Sequence, residues 1–394
     1  MNNQTFVEIG KKVVMNNVAR LPVTISKGIG SRVWDADGKE YIDFLTGISV
    51  ANYGHSHPEI TKALQEQAGK ILHMSNYFYL EEQVQLAEEL IKLSGYEQVF
   101  FCNSGAEANE AAIKLARKYG KTKLGGKFEI ITAKQSFHGR TLGALSATGQ
   151  PKYQESFQPV VPGFVYAEYN NLSAWEAAVT DQTCAIMLEL VQGEGGVTPA
   201  TPEFIAGLIK LCQEKDLLFI VDEVQTGLGR TGKYFAYEHF GFQPDVVTLA
   251  KSLGGGVPFG ALLVNQKANL FTPGDHSTTI GGGGMAFAAG MVTLKLLQQP
   301  GLMAEVVRKG KYIQDTWESW KNELPVIKSS RGLGLMLALE LTIPSKQVML
   351  ACLEAGLIVN AVTETALRIL PALNITEDDL EAGLQIMKNV LAKF

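Results

Sequence analysis

Short apolar runs alternate with helix-like stretches between about residues 85 and 265. Five runs have the length and β-branched content of buried strands, and they span residues 98–102, 128–132, 185–191, 217–221 and 246–250. Between two of them, Thr201 is a suitable N-cap, Pro202 a suitable first helical residue, and apolar residues at helical spacing extend to Cys212. Strands that alternate with helices usually lie parallel in one sheet. The pattern therefore predicts an α/β domain with a mostly parallel sheet flanked by helices.

Both ends of the chain have a different pattern. Near the start, residues 32–34 and 40–42 flank a turn-forming Asp-Ala-Asp-Gly sequence, which predicts a hairpin. Near the end, a glycine-punctuated apolar run at 331–341 precedes a final helix capped by Thr376. We predict three parts: an N-terminal segment, 1–60, that joins the small domain, a large domain, 61–298, and a C-terminal small α+β domain, 299–394.

The composition narrows the class of protein. With 46% apolar and 19% charged residues among 394, the chain can bury a sizeable core, so we expect a globular protein. A net charge of −5 without a basic block argues against a nucleic-acid partner. No apolar run approaches the roughly 18 residues that span a bilayer, and the first residues lack a secretory signal, so we expect no membrane partner.

The cysteines and histidines predict neither disulfides nor a metal site. The four cysteines are far apart and form no CxxC pair, which is typical of a chain in a reducing compartment, so we expect a cytoplasmic location. His55 and His57 have no third ligand nearby and lie in a predicted turn before Pro58. We therefore predict no bound metal.

Lys251 directly follows the last apolar run of the large domain and precedes Ser-Leu-Gly-Gly-Gly. Ligands of open α/β sheets bind at such carboxyl ends of strands. A desolvated lysine there can act as a nucleophile and form a Schiff base. The alternative is a lysine whose stem packs on the strand end while its amine reaches solvent.

Asp222 and Glu223 end the most apolar run, residues 217–221. A buried carboxylate is costly unless a cation faces it, and the protonated nitrogen of a pyridoxal ring is such a cation. The alternatives for Asp222 are a helix cap or an ion pair with an arginine.

Ser104, Gly105 and Ala106 lie between a predicted strand and a predicted helix, where free backbone N–H groups bind phosphate. Ser104 and Glu107 also match a capping box, and both descriptions can hold together. The later sequence GLGRTGK, 227–233, matches the dinucleotide pattern and nearly matches a P-loop, but we reject both. Tyr234 stands where a P-loop needs Ser or Thr, and five residues separate the strand from the first glycine.

Taken together, these motifs resemble those of the class III, or ω-amino-acid, aminotransferases, which are pyridoxal phosphate enzymes of fold type I. Within that family the chain is most similar to the bacterial acetylornithine aminotransferases. The resemblance covers nearly the whole chain, and its motifs are NSGAEANE, FHGRT, VQGEGG, DEVQTGLGRTG and LAKSLGGG. It implies that the large domain binds pyridoxal 5'-phosphate and that the protein is a homodimer.

The resemblance also implies the cofactor contacts. Lys251 and Asp222 are the implied catalytic residues, with Lys251 bound to the cofactor and Asp222 on the ring nitrogen. Phe137 and Val224 would pack on the two faces of the ring, and Gln225 would approach its hydroxyl group. Ser104, Gly105 and Ala106 would bind the phosphate, together with Thr279 from the partner subunit.

For the substrates, the resemblance implies two arginines and a switch. Arg368 would bind the α-carboxylate of glutamate and Arg140 the other carboxylate. Glu194 would neutralise Arg368 while the ω-amino substrate is bound, and Thr278 is a further predicted substrate contact. A simple turn residue is the alternative for Arg140.

Four positions depart from the family pattern. The family usually has Gly-Gly-Asn-Pro after the threonine, whereas this chain has four glycines, 281–284. Val18 and Ile48 stand where related enzymes carry tyrosines, Ile48 at the position of the tyrosine of ornithine aminotransferases. Val18 and Ile48 argue against free ornithine as the preferred donor.

The resemblance implies that the protein moves the terminal amino group of N2-acetylornithine to 2-oxoglutarate, a step of arginine biosynthesis that yields N-acetylglutamate 5-semialdehyde and glutamate. Succinylornithine, ornithine, 4-aminobutyrate and acyl-lysine donors remain alternatives. A protein of another class, a non-catalytic regulator that keeps the cofactor, is a further alternative, against which Lys251, Asp222 and both arginines argue.

Overall fold

The computed structural model describes all 394 residues, and helices form much of it. The helices are α1 Asn3–Val13, α2 Thr46–Ser49, α3 Pro58–Ala68, α4 Glu81–Ser94, α5 Gly105–Lys123, α6 Leu142–Ala147, α7 Pro151–Gln154, α8 Leu172–Ala178, α9 Pro202–Lys215, α10 Gly283–Leu297, α11 Leu302–Trp320, α12 Ser345–Glu354 and α13 Glu377–Leu391. Short 3-10 helices span Glu155–Phe157, Ala236–Phe240 and Lys251–Gly254.

Strands are shorter and fall into four sheets. They are β1 Ile25–Ile29, β2 Arg32–Asp35, β3 Glu40–Asp43, β4 Gln98–Cys102, β5 Glu129–Ala133, β6 Phe164–Ala167, β7 Thr183–Leu188, β8 Val191–Gln192, β9 Thr198–Pro199, β10 Leu218–Asp222, β11 Val246–Leu249, β12 Gly260–Val264, β13 Ile327–Leu333, β14 Met336–Leu341, β15 Leu357–Ile358, β16 Asn360–Ala361 and β17 Ala366–Ile369.

The central sheet has seven strands in the order β4-β12-β11-β10-β7-β5-β6. All neighbours pair in parallel except β12, which is antiparallel to both β11 and β4. All five predicted strands lie in this sheet, so the predicted α/β class is confirmed. The run 185–191 is not one strand, because β7 ends at Leu188 and the chain bends before β8.

Helices cover both faces of the central sheet because its side chains alternate. On β10, Leu218 and Ile220 pack in the cluster that contains the apolar face of α5. Phe219 and Val221 pack in another cluster with residues of α9. Successive side chains of a strand point to opposite faces, so a strand buried on both sides is apolar throughout.

The two ends of the chain meet in smaller sheets. The predicted hairpin forms between β2 and β3, and β3 pairs in parallel with β15 near the C-terminus. A second sheet has the order β13-β14-β17-β16, and α13 begins after Thr376, whose side chain accepts a hydrogen bond from the Asp379 amide. The N-terminal segment thus shares a sheet with the C-terminal part. The boundaries at residues 60 and 298 remain a prediction.

A buried arginine connects the N-terminal segment and the C-terminal part by hydrogen bonds. Arg230 is fully buried and donates hydrogen bonds to Ser49 Oγ at 2.9 Å, Leu335 O at 3.0 Å and Pro371 O at 2.6 Å. All these acceptors are neutral, and burial lowers the pKa of Arg230 to about 9. The sequence GLGRTGK therefore has a structural role. Its arginine connects the N-terminal segment by hydrogen bonds to residues of the C-terminal part.

No helix contains an apolar stretch long enough to cross a bilayer. The four cysteines are free and buried. Burial raises the pKa of the Cys102 and Cys184 thiols to about 12, so these side chains are protonated and act as small apolar residues.

Candidate active site

A cavity of about 450 Å³ opens at the carboxyl ends of β4, β10 and β11. This is the edge where open α/β sheets bind ligands. The predicted site residues that line the cavity are Ser104, Gly105, Ala106, Phe137, Arg140, Glu194, Asp222, Val224, Gln225 and Lys251. The structure therefore brings together groups that lie as much as 147 positions apart in the sequence.

Lys251 projects into this cavity from the end of β11. Its φ is +47°, a left-handed conformation that a residue with a side chain adopts only when its surroundings enforce it. Burial lowers the pKa of its amine to about 8, and the nearby charge of Arg368 acts in the same direction. The side chain lines the cavity and does not run out to bulk solvent, so the alternative of a surface lysine is wrong. A large fraction of this amine is neutral near pH 8, as a nucleophile must be.

Asp222 lies at the end of β10, buried and held by three donors. Its Oδ2 accepts hydrogen bonds from Asn109 Nδ2 and His138 Nδ1, both at 2.8 Å, and its Oδ1 accepts from the Val224 amide at 2.9 Å. It caps no helix and pairs with no arginine, so both alternatives are wrong. These donors fix the direction of a carboxylate that also borders the cavity.

The sequence reasoning missed three buried polar residues that also line the cavity, namely Asn109, His138 and Glu189. Glu189 accepts hydrogen bonds from the amides of Phe137 at 3.0 Å and Gly193 at 3.1 Å, and burial raises its pKa to about 7. The available signals were a lone asparagine on the alanine face of α5, the histidine of FHGRT, and a glutamate inside an apolar run.

The N-terminus of α5 forms another wall of the cavity. Ser104 caps the helix, and its Oγ accepts from the Glu107 amide at 3.2 Å. Glu107 does not complete the predicted capping box, because its carboxylate accepts from the Asn103 amide at 2.8 Å instead. The first amides of a helix have no intrahelical acceptor, so those of Gly105 and Ala106 remain free for an anion.

Gly105 also leaves room that a larger residue would fill. A Cβ at this position would lie 2.7 Å from Val224 Cγ1, closer than real contacts allow. Because both residues line the cavity, a side chain on the first turn of α5 would displace Val224 from its place beside the cavity.

The polar groups at the cavity wall match the chemical groups of pyridoxal phosphate one by one. A neutral amine suits its aldehyde, a helix N-terminus suits its phosphate, and a fixed carboxylate suits a protonated ring nitrogen. Phe137 offers an aromatic face and Val224 an aliphatic one, both at the cavity wall. No wall residue contradicts the fit.

Arg368 lies behind the cavity wall on β17 and is 1% exposed. Its Nη1 donates to Glu194 Oε1 at 2.7 Å and to Gln225 Oε1 at 3.2 Å, and both acceptors belong to residues of the wall. Burial alone would raise the pKa of Glu194, but the charge and hydrogen bond of Arg368 lower it overall. The pair is therefore ionised, and Glu194 shields the positive charge from the cavity.

Arg140 is held differently. Its side chain is exposed and makes no salt bridge within the chain, and its guanidinium carbon lies 4.0 Å from the ring centre of Tyr153 and 5.4 Å from that of Phe137. Because it lines the cavity, it is more than a turn residue. Its hydrogen-bond donors are free for a substrate carboxylate.

Thr278 and Thr279 do not line the cavity of their own chain. Thr278 Oγ1 accepts from Asn103 Nδ2 at 3.3 Å, whereas Thr279 is exposed.

Among the positions that depart from the family pattern, Gly284 is tightly enclosed, since a Cβ there would lie 2.4 Å from Ile71 O. Ile48 packs in an apolar cluster with Leu370, and Val18 is exposed.

Comparisons with known proteins cover the same residues. The family model of the class-III aminotransferases matches residues 13–391. The acetylornithine aminotransferase of Caldanaerobacter subterraneus subsp. tengcongensis is 48% identical over 385 residues, which are 97% of this chain and 98% of that one. That of Methanocaldococcus jannaschii is 43% identical over 395 residues, which are 100% of this chain and 99% of that one.

Solved structures show the same architecture. The ornithine aminotransferase of Toxoplasma gondii ME49 superposes with a TM-score of 0.96 at 32% identity, covering 100% of this chain and 96% of that one. The N-acetylornithine aminotransferase of Stenotrophomonas maltophilia K279a has a TM-score of 0.85 at 37% identity, covering 98% and 99%. Backbone similarity is thus high for both substrate types, and the choice between them rests on side chains.

Proposed function

The chain belongs to the class III aminotransferases, which are pyridoxal-phosphate-dependent transaminases, and we propose that it moves the terminal amino group of N2-acetylornithine to 2-oxoglutarate. The products are N-acetylglutamate 5-semialdehyde and glutamate, in the biosynthesis of arginine. The observation that carries the proposal is the ion pair of Glu194 and Arg368 at the wall of the cavity that contains Lys251.

When bound, pyridoxal phosphate supplies an aldehyde that takes up amino groups and a protonated ring that spreads negative charge from the substrate carbon. Lys251 Nζ would hold the aldehyde, and the same amine would carry a proton to and from the substrate carbon. Asp222 would keep the proton on the ring nitrogen, and the first turn of α5 would bind the phosphate. Phe137 and Val224 would orient the ring, and Gln225 would approach its hydroxyl group.

One cavity then serves two substrates with different charges. Acetylornithine has one carboxylate, which Arg140 binds, while Glu194 neutralises Arg368 next to the apolar stem of the substrate. Glutamate and 2-oxoglutarate have two carboxylates. The second one binds Arg368 after Glu194 has moved away, since a planar guanidinium group binds both oxygens of a carboxylate.

The acyl donor is favoured over free ornithine by two features. Two relatives that are 48% and 43% identical are named acetylornithine aminotransferases, and Ile48 lacks the hydroxyl group of the tyrosine that ornithine aminotransferases have at this position. The test is a screen of purified holoenzyme with 2-oxoglutarate against acetylornithine, succinylornithine, ornithine, 4-aminobutyrate and acetyl-lysine. We expect acetylornithine to have the highest kcat/KM. A higher value for ornithine would contradict the proposal, and no transfer from any donor would favour a non-catalytic regulator.

The active unit is a homodimer in this proposal, located in the cytoplasm. Thr279 is exposed, does not line the cavity of its own chain, and is followed by Ile280, which is 57% exposed. Tyr77 and Tyr79 are 93% and 89% exposed, and large apolar surfaces of this kind are typical of interfaces. Thr279 would then reach the cofactor phosphate of the partner subunit, and Thr278 would contact the substrate.

A further inference from the structure

We propose that Tyr153 is a positioning residue that holds Arg140 ready for the substrate carboxylate through its aromatic face. The guanidinium carbon of Arg140 lies 4.0 Å from the centre of the Tyr153 ring. The same ring stands edge-on to Phe137, with 6.0 Å between the ring centres and 82° between the planes. Tyr153 does not line the cavity itself, so it acts through Arg140.

The short helix α7, which carries Tyr153, is fastened on both sides by buried glutamines. Gln150 donates to Ser136 O at 2.9 Å, directly before Phe137. Gln154 donates to Thr148 O at 2.7 Å and to Leu145 O at 3.1 Å. These bonds fix α7 against the segment that carries Phe137 and Arg140, so the fold places the Tyr153 ring beside that segment.

An aromatic face holds a cation without occupying its hydrogen-bond donors. The ring quadrupole attracts the guanidinium group from above, whereas a carboxylate partner would take two N–H groups in the plane. Arg368 is held by a carboxylate, since its Nη1 donates to Glu194 Oε1, and Glu194 must leave before a substrate can bind there. Arg140 needs no such release, which suits an anchor that is used in both half-reactions.

A second cation lies against the same ring. Lys152 Nζ is 4.9 Å from the centre of the Tyr153 ring, and its positive charge contributes to the lowered pKa of Glu194. Repulsion between Lys152 and Arg140 is reduced because the electron-rich ring lies against both. Tyr153 thus holds two positive charges close together, and positive charge of this kind attracts anionic substrates.

This inference rests on the proposed function in one respect, namely that Arg140 binds a substrate carboxylate. The test compares Tyr153→Leu, which removes the aromatic face, with Tyr153→Phe, which keeps it. The control is Tyr312→Leu, at a partly exposed tyrosine on α11. The donors are acetylornithine and N-acetylputrescine, which is acetylornithine without its carboxylate.

We expect Tyr153→Leu to raise KM for acetylornithine and 2-oxoglutarate about three- to thirtyfold, with a smaller change in kcat. Tyr153→Phe and Tyr312→Leu should stay within twofold of the parent protein. The kcat/KM for N-acetylputrescine should change less than twofold in Tyr153→Leu. Equal losses for both donors, or a loss in Tyr153→Phe as large as in Tyr153→Leu, would overturn the proposal.

Calorimetric titration of the holoenzyme with glutarate gives a readout that does not depend on turnover. Glutarate has two carboxylates and no reactive carbonyl group, so it reports on the anchors alone. Its Kd should rise at least threefold in Tyr153→Leu and remain unchanged in Tyr153→Phe, and an unchanged Kd in both variants would overturn the proposal. Should acetylornithine fail as a donor, the proposed function fails, while the glutarate titration still decides the role of Tyr153.

Discussion

Glu194 Oε1 lies 2.7 Å from Arg368 Nη1, and through this contact the chain neutralises one of the two arginines that we propose to bind substrate carboxylates. Arg140, the other arginine, has no acidic partner and rests on aromatic rings. A cavity with this asymmetry presents one available cation to a monocarboxylate and two to a dicarboxylate. In the proposed mechanism, this asymmetry lets one cavity serve both substrates in turn.

The reactivity of Lys251 should depend on pH in a way that surface lysines do not. Its pKa is lowered to about 8, whereas that of Lys92 is raised by Glu89 and Glu88. Only the neutral amine reacts with acetic anhydride, so trace labelling of the cofactor-free protein at Lys251 should rise with pH around a midpoint near 8. Lys92, measured by mass spectrometry in the same digest, should reach its midpoint more than two units higher. A common midpoint would contradict the assignment.

Asp222→Asn should separate cofactor binding from amino transfer. The amide cannot keep the ring nitrogen protonated, so we expect turnover to fall more than about a hundredfold while the cofactor remains bound. The control is Glu223→Gln, since Glu223 accepts from the amides of Ala236 and Tyr237 and does not border the cavity. The control should lower the urea midpoint and preserve the cofactor absorption spectrum. Near-normal turnover of Asp222→Asn would make Asp222 a structural residue.

Gly105→Ala should weaken cofactor binding, because the added Cβ would lie 2.7 Å from Val224 Cγ1. A loss of about tenfold or more in affinity is expected, which corresponds to about 1.4 kcal/mol. The double variant with Val224→Ala should recover part of it, since the clash is removed. Fluorescence titration of the cofactor-free protein measures all the affinities. Normal cofactor binding by Gly105→Ala alone would show that the first turn of α5 can accommodate a Cβ at this position.

Mixed dimers test whether Thr279 acts across the subunit interface. Lys251→Ala and Thr279→Asp are each expected to be inactive, the second because a carboxylate would repel the phosphate. Co-refolding equal amounts should restore about a quarter of the parent activity, since half of the dimers are mixed and each has one intact site. Activity that does not recover would place Thr279 in the site of its own chain.

Most of the fold could be predicted from local sequence patterns, namely helix start signals and apolar runs. Thr201 and Pro202 start α9 as predicted, and the strand ends place Lys251 and Asp222 at one edge of the sheet. The antiparallel strand β12 was not predicted, because its direction depends on pairing with β4 and β11 and not on its own residues. The residues of a strand do not by themselves show whether it runs parallel or antiparallel to its neighbours.

The residues that sequence reasoning missed act through contacts over long sequence separations. Asn109, His138 and Asp222 belong to different elements, and only the folded chain shows that the first two hold the third. Arg230 lies in the sequence GLGRTGK, which resembles nucleotide-binding patterns and gave no indication of a buried structural arginine. Tyr153 carried no signal at all, because its partner Arg140 is thirteen positions away on another segment.

The most direct test of the account is a single-turnover measurement of the two half-reactions in Arg368→Ala. Truncating one partner of a desolvated arginine–carboxylate contact costs on the order of 2–5 kcal/mol, which is about thirty- to several-thousandfold in rate. We expect a loss of that size with glutamate and a much smaller one with acetylornithine. Glu194→Ala should shift the ratio the other way, improving glutamate and impairing acetylornithine. Equal losses in both half-reactions of Arg368→Ala would contradict the switch that the Glu194–Arg368 pair is proposed to form.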